Sequence, residues 1–274
     1  MAAPSESSEA MIFYDIAMAT PYAPNPWKSR LALNFKDIKY STTWVHLPDI
    51  AQVRRTLGVP ACRKFSDGTD FYTLPILVDP NTKSRIGDSF DIAIYLQKTY
   101  PDSGAGDLFP PQKLEFAFNN EFASLVPLSE RNDIEYVDYS KFNTYVDAAF
   151  TAHVSLVVHN LPFHPATAEA TKAEFVRRAG VTSWDDFQIK GEQRQKFKES
   201  FHTMLGDLGK LFLRDISGPF LLGKKASYAD LIVGGWLRMM REALPKQEWE
   251  EISGWHGGIY GRLHDGLEKY AEVK

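Results

Sequence analysis

Cysteine is almost missing from this chain: Cys62 stands alone among 274 residues. No intrachain disulfide can brace the fold, and a reducing compartment is the natural expectation. Nowhere does an apolar run approach the ~20 residues that cross a bilayer. The first ten residues have neither the basic start nor the apolar core of a signal peptide, so a cytosolic soluble protein with no membrane partner is expected. Positive charge is not in excess either. The formal net charge is −4, with both signs interspersed, and no basic stripe offers to neutralise a phosphate backbone, which argues against nucleic-acid binding. Familiar catalytic spacings are absent too. The seven histidines form no HExxH pair and no pairing with cysteine, no GxSxG accompanies them, and no metal is expected. His159 and His164, on either side of a Leu-Pro-Phe turn, read as surface or packing residues. The run from Gly218 to Lys225 misses a phosphate loop by one residue. Lys225 stands where a magnesium-holding hydroxyl belongs, no strand precedes it, and Pro219-Phe220 is unsuited to a phosphate cradle.

What is present is ordinary globular composition, 44% hydrophobic and 24% charged, enough for one large domain or two small ones. Residues 11–16 and 40–45 have strand composition. Between them Asn25-Pro26 reads as a helix start, Asn at the N-cap and Pro at the first helical position, with Leu31, Phe35 and Ile38 continuing the apolar spacing. A short helix over 50–57 ends near Gly58. Strands over 74–78 and 85–86 flank the turn 79–82, and a helix follows over 89–100. The order β-α-β-α-β-β-α implies a parallel pair plus an antiparallel hairpin, as in a thioredoxin-like unit. Residues 101–111 are rich in Pro, Gly and Asp, a linker composition. Beyond them the chain reads as helix: 113–126, 139–159, 166–178, 191–213, 227–241 and a C-terminal segment. The expected plan is a disordered tail (1–10), an α/β thioredoxin-like domain (11–101), a linker (102–110) and an all-α helical-bundle domain (111–274).

Two short segments carry chemistry. Leu74-Pro75 opens an apolar strand, and by itself would be a proline starting an edge strand. Asp88-Ser89 opens a helix, and by itself would be an N-cap. A helix N-terminus also offers unpaired N–H groups and partial positive charge, which suits a carboxylate ligand. Ser227 to Asp230 is a capping box whose role is folding.

Together, the strand order, Leu74-Pro75, Asp88-Ser89 and Ser227-Tyr228-Ala229-Asp230 resemble the cytosolic glutathione transferases over roughly 12–237. Phe13-Tyr14-Asp15 followed by 27–33 is similar to the etherase-related fungal class, called FuA, and to bacterial β-etherases. The resemblance implies glutathione as co-substrate and a cis Leu74-Pro75 bond that turns the preceding backbone toward the cysteinyl part of the tripeptide. It implies that Ser89 donates to the γ-glutamyl carboxylate and that Asp88 accepts from its amino group. Lys64 or Arg63 is the candidate for the glycine carboxylate. Cys62 lies far from the helix start where catalytic cysteines of such enzymes sit, and a passive thiol is expected.

A transferase must hold a thiolate. Lowering a thiol from about 8.5 by roughly two pH units takes about 2.7 kcal/mol. The family pattern places a serine just before the proline leading into the first helix. Here Ala23 occupies that position and has no side-chain donor. Asn25 is the first substitute and Thr20 the second, with Tyr22 and the N–H groups of Trp27 and Lys28 also in range; a plain cap is the other reading of Asn25. Tyr22, Trp27, Phe118 and Phe122, with Phe116, are candidates to stack on an aromatic second substrate, or else simply core. The function expected is glutathione transfer to or from aromatic electrophiles in detoxification, by a homodimer. The alternative is a glutathione-dependent protein that sequesters aromatic ligands with little turnover.

Overall fold

The computed structural model describes residues 9–118, 127–129, 131 and 133–274. A four-stranded sheet runs in the order β2-β1-β5-β6. β1 (Met11–Ile16) lies parallel to β2 (Tyr40–Val45), with Phe13 opposite Thr42. β5 (Ile76–Asp79) is antiparallel to β1 and to β6 (Ser84–Ile86). A two-residue hairpin, β3 (Arg63–Lys64) with β4 (Asp70–Phe71), was not legible in the sequence. The helices of this domain are α1 (Pro24–Phe35), α2 (Ile50–Leu57) and α3 (Ser89–Thr99). Gly58 closes α2 in the left-handed conformation, the role for which glycine is suited.

The second domain is helical: α4 (Val137–Ala152), α5 (Ala168–Ala179), α6 (Gly191–Phe212), α7 (Tyr228–Ala243) and α8 (Lys246–Gly266), the last broken by non-helical backbone from Trp255 to Gly258. The box expected at Ser227 forms. Asp230 accepts from the Ser227 N–H (2.8 Å) and Oγ (2.9 Å), and its other oxygen takes Leu221 N–H (2.8 Å). Among the described residues no helix is long and apolar enough to cross a membrane.

Two helical expectations are corrected. Residues 113–118 are not helical. Leu114 and Phe116 are buried while Glu115 and Ala117 are exposed, so this stretch has the two-residue alternation of extended chain; the rest of the expected helix lies outside the described residues. The helix expected over 139–159 stops at Ala152 and gives way to two 3₁₀ turns. There the Nδ1 of buried His153 lies 2.7 Å from Ala149 O, the carbonyl an unbroken helix would offer to the His153 N–H, and that N–H turns to Phe150 O instead.

α1 positions everything else. It is covered on all sides, with Lys28 through Leu33 buried without a break. Its close neighbour is α7, where a side chain at Gly235 would put Cβ 2.6 Å from Pro24 O and 2.9 Å from Lys28 Cγ. A helix so enclosed must find partners for its charges. Arg30 pairs with Asp15 at 2.8 Å and reaches Thr42 Oγ1 at 3.1 Å. Lys28 Nζ crosses to α4, donating to Asn143 Oδ1 at 2.9 Å and to Asp147 Oδ1. The same Asp147 oxygen accepts from Trp236 Nε1 of α7 at 2.7 Å. Burial pulls the Lys28 ammonium below its ordinary value, and Asp147 pulls it back.

Removing one partner of such a pair strands the other. Asp147→Ala is therefore expected to destabilise the protein by about 3–5 kcal/mol in urea denaturation, while the apolar double replacement Lys28→Met with Asp147→Leu recovers most of that loss. A single variant as stable as the parent would show that the pair is dispensable.

Candidate functional site

The first helical turn of α1 sets one wall of the site. The sequence places the cap at Asn25; in the structure it lies two residues earlier, at Ala23, with φ −66° and ψ 128° and no side-chain hydrogen bond. Pro24 opens the helix because its fixed φ suits the first position as well as that of Pro26 does. This turn is poor in donors. Pro24 and Pro26 have no N–H, and the Trp27 N–H is bound to Ala23 O at 3.0 Å. Asn25 is left as the residue of the turn whose main-chain N–H meets no acceptor among the described residues, and Lys28 lies deeper in the helix.

Tyr22, Asn25, Thr73 and Leu74 line a cavity of about 150 Å³ between the two domains, closed on the far side by Asp147, Thr151, Arg178 and Trp236. Phe71, Phe175 and Phe187 add aromatic surface. The Leu74–Pro75 bond is cis. Burial first, and then the Asp15 carboxylate, push the Tyr22 phenol up, so at neutral pH it is an O–H donor. Arg178, on α5, crosses to the first domain, giving hydrogen bonds to Tyr72 O (2.9 Å) and Leu47 O (3.3 Å).

Several expected residues lie elsewhere. Trp27 is buried and does not line the cavity; its Nε1 holds Pro21 O at 2.9 Å, with the Arg238 guanidinium 5.1 Å from its ring. Thr20 is exposed and donates to Glu242 at 3.3 Å. Phe116 packs against Phe142, and Phe118 lies 6.1 Å from the His153 ring, neither on the cavity wall. Phe122 lies outside the described residues. Lys64 is two-thirds exposed and paired with Asp70 across the hairpin. Its neighbour Arg63, facing the other way from the short strand, is the residue that lines the cavity.

A second depression, about 470 Å³, contains Cys62, Asp88, Asp91, Ser129 and Arg131. Arg63 of the first cavity and Ser129 of the second are linked by a hydrogen bond, Nε donating to Oγ at 3.1 Å. Asp88 caps α3, accepting from Phe90 N–H at 2.8 Å, and also receives Arg131 Nη1 at 2.7 Å. Ser89 is buried beside it, its carbonyl taking the Tyr228 O–H at 2.9 Å. Burial pushes the Cys62 thiol up, and it donates to Gly87 O at 2.9 Å, so it stays a protonated, unreactive thiol. The side-chain roles of Lys28, Arg54, Arg131, Asp147 and Arg178 did not emerge from the sequence. Each has a partner 19 to 119 positions away, and no local spacing signals those long-range pairs.

These features sit on a chain whose residues 22–99 match the glutathione S-transferase N-terminal domain and whose residues 142–270 match the glutathione S-transferase C-terminal domain. A similar curated protein is the glutathione S-transferase-like protein ustS of Aspergillus flavus, 26% identical over 94% of this chain and 92% of that one. Among solved structures, the glutathione S-transferase CsGST63524 of Ceriporiopsis subvermispora, in complex with glutathione, is 29% identical with a TM-score of 0.78, covering 97% of this chain and 99% of that one. The glutathione transferase GSTFuA3 of Phanerochaete chrysosporium is 26% identical with a TM-score of 0.75, over 98% and 100%. Glutathione is the co-substrate of such proteins, and a small α/β domain followed by a helical one is their fold. With the cis-proline, the capped start of α3 and the cavity between the domains in place, this chain belongs to the glutathione transferase family.

Proposed function

We propose that the chain transfers glutathione to, or removes it from, aromatic electrophiles, as a cytosolic homodimer in detoxification. The observation that carries this reading is one row of groups: Asp88 at the N-terminus of α3 lines the second depression, Leu74 of the cis Leu74-Pro75 peptide and Asn25 of the first turn of α1 line the aromatic-walled cavity, and the Arg63–Ser129 hydrogen bond links the two. A tripeptide laid along it has its γ-glutamyl carboxylate at Ser89 and the helix dipole, its cysteinyl backbone at Leu74 and its thiol at Asn25. Arg63 takes the glycine carboxylate in this reading. Tyr22, Phe71, Phe175, Phe187 and Trp236 form the face on which a flat second substrate stacks.

The thiolate donor is Asn25, which lines the cavity, through its main-chain N–H and the N–H₂ of its carboxamide. The Tyr22 hydroxyl is the second donor. A carrier of aromatic ligands with little turnover is the competing reading, favoured by the donor-poor turn in which Ala23 has no hydroxyl and two prolines no N–H.

A difference titration of the protein with glutathione, following thiolate absorption near 240 nm across pH, separates the two. A bound thiol titrating well below the usual ~8.5 supports transfer, binding without thiolate supports carriage, and no binding overturns both. Asn25→Ala is expected to lower kcat roughly tenfold or more with little change in glutathione affinity, because a hydrogen bond to an anion is worth about 1.5–3 kcal/mol; equal losses in both, with a lower Tm, would make Asn25 part of the fold only. Ser89→Ala should weaken glutathione binding about tenfold in calorimetry, and unchanged affinity would rule out the proposed orientation.

A further inference from the structure

Arg54, on α2, is fully buried, and among the described residues it has no carboxylate partner. Instead its guanidinium spends all five N–H donors on neutral acceptors. Nε donates to Val59 O (3.4 Å), Nη1 to Thr73 O (2.5 Å) and Gly87 O (2.9 Å), and Nη2 to Pro60 O (2.5 Å) and Cys62 Sγ (3.2 Å). Burying a charge this way is costly, so the arrangement calls for a reason.

The reason lies in two of the acceptors. Thr73 O belongs to the peptide whose N–H is that of Leu74, and Gly87 O to the peptide whose N–H is that of Asp88. Each peptide is a rigid trans plane, in which the N–H points opposite to the C=O. A guanidinium holding both carbonyls therefore aims both N–H groups away from itself and fixes the planes that enter Leu74-Pro75 and Asp88-Ser89. The Leu74 N–H meets no acceptor among the described residues. Gly87 permits the approach, since a Cβ there would lie 2.2 Å from Arg54 Nη2 and 2.4 Å from Val59 Cγ1.

We propose that Arg54 is a positioning residue for glutathione, one buried planar fork that sets the spacing and tilt of the two backbone segments receiving the tripeptide. This rests on the glutathione site assigned above. A lysine keeps the charge but, with one terminal nitrogen, cannot hold both carbonyls while also making the Nε and Nη2 bonds to Val59, Pro60 and Cys62 that fix the plane of the guanidinium.

The test compares wild type, Arg54→Lys and Gly87→Ala, the last displacing the guanidinium without removing it. Calorimetry gives the glutathione Kd, and steady-state kinetics with an aromatic electrophile give the two KM values. Both variants are expected to bind glutathione about tenfold or more weakly, with the electrophile KM at saturating glutathione unchanged. A role confined to folding would lower Tm and raise both KM values together, overturning the proposal. So would an Arg54→Lys variant that binds glutathione within about twofold of wild type, while leaving the glutathione site itself standing. Wild-type protein that does not bind glutathione would overturn both.

Discussion

The ion pair between Lys28 and Asp147 is the contact on which the arrangement of the two domains turns. α1 belongs by sequence to the first domain, yet its lysine finds its carboxylate on α4, and Trp236 of α7 completes the same oxygen. A buried pair of this kind gains little net stability over an apolar core of the same volume, since desolvation offsets the Coulomb attraction. Its effect is on choice. An α1 rotated or shifted by a residue would bury an ammonium with no partner. Because Asp147 also lines the cavity, the contact that registers the domains is itself part of the wall between them.

That registry governs the chemistry available at the start of α1. Gly235 brings the α7 backbone against Pro24 and Lys28, so the first turn cannot rotate to present other groups. Its donors are fixed by composition. Two prolines and an alanine remove what a serine and ordinary residues would have supplied, leaving Asn25 and the hydroxyl of Tyr22 as groups that reach the cavity. In a space of low polarity, one well-aimed donor counts for more than it would in water. A weak-looking turn can still hold an anion when its neighbours exclude solvent.

What was legible in the sequence was local. The strand order, the proline at position 75, the cap at Asp88 and the box at Ser227 each depend on residues within a few positions of one another, and each is found where its spacing puts it. Cap chemistry near Pro24 misled because two prolines in succession both fit a helix start. Leu114 and Phe116 misled because a short apolar series does not itself distinguish helix from extended chain. Trp27 and Lys64 were of the right type on the wrong face, a matter that only packing decides. The distant partners of Arg54, Arg131 and Asp147 were out of reach, because nothing local marks which of several arginines the fold will bury.

Among the largely buried cations of the protein there is a further asymmetry. Lys28 is neutralised by Asp147 and Arg30 by Asp15, and Arg131 is shared among Asp88, Asp91 and Asp133. Lys36 makes no ion pair among the described residues, but it sits at the C-terminal end of α1, donating to Pro101 O and Gly106 O, where the helix dipole favours a cation. Arg54 also lies in the last turn of its helix, α2, and its hydrogen bonds go only to carbonyl and thiol dipoles. Those dipoles point their negative ends at the guanidinium, so the opposite ends of the Thr73–Leu74 and Gly87–Asp88 peptides, the N–H groups, face outward with enhanced positive character. In the proposed site, an arginine that never touches solvent would act on the tripeptide's carboxylate through two peptide groups. The protein carries a net charge of −4, and this relay is the proposed local source of positive potential at that site.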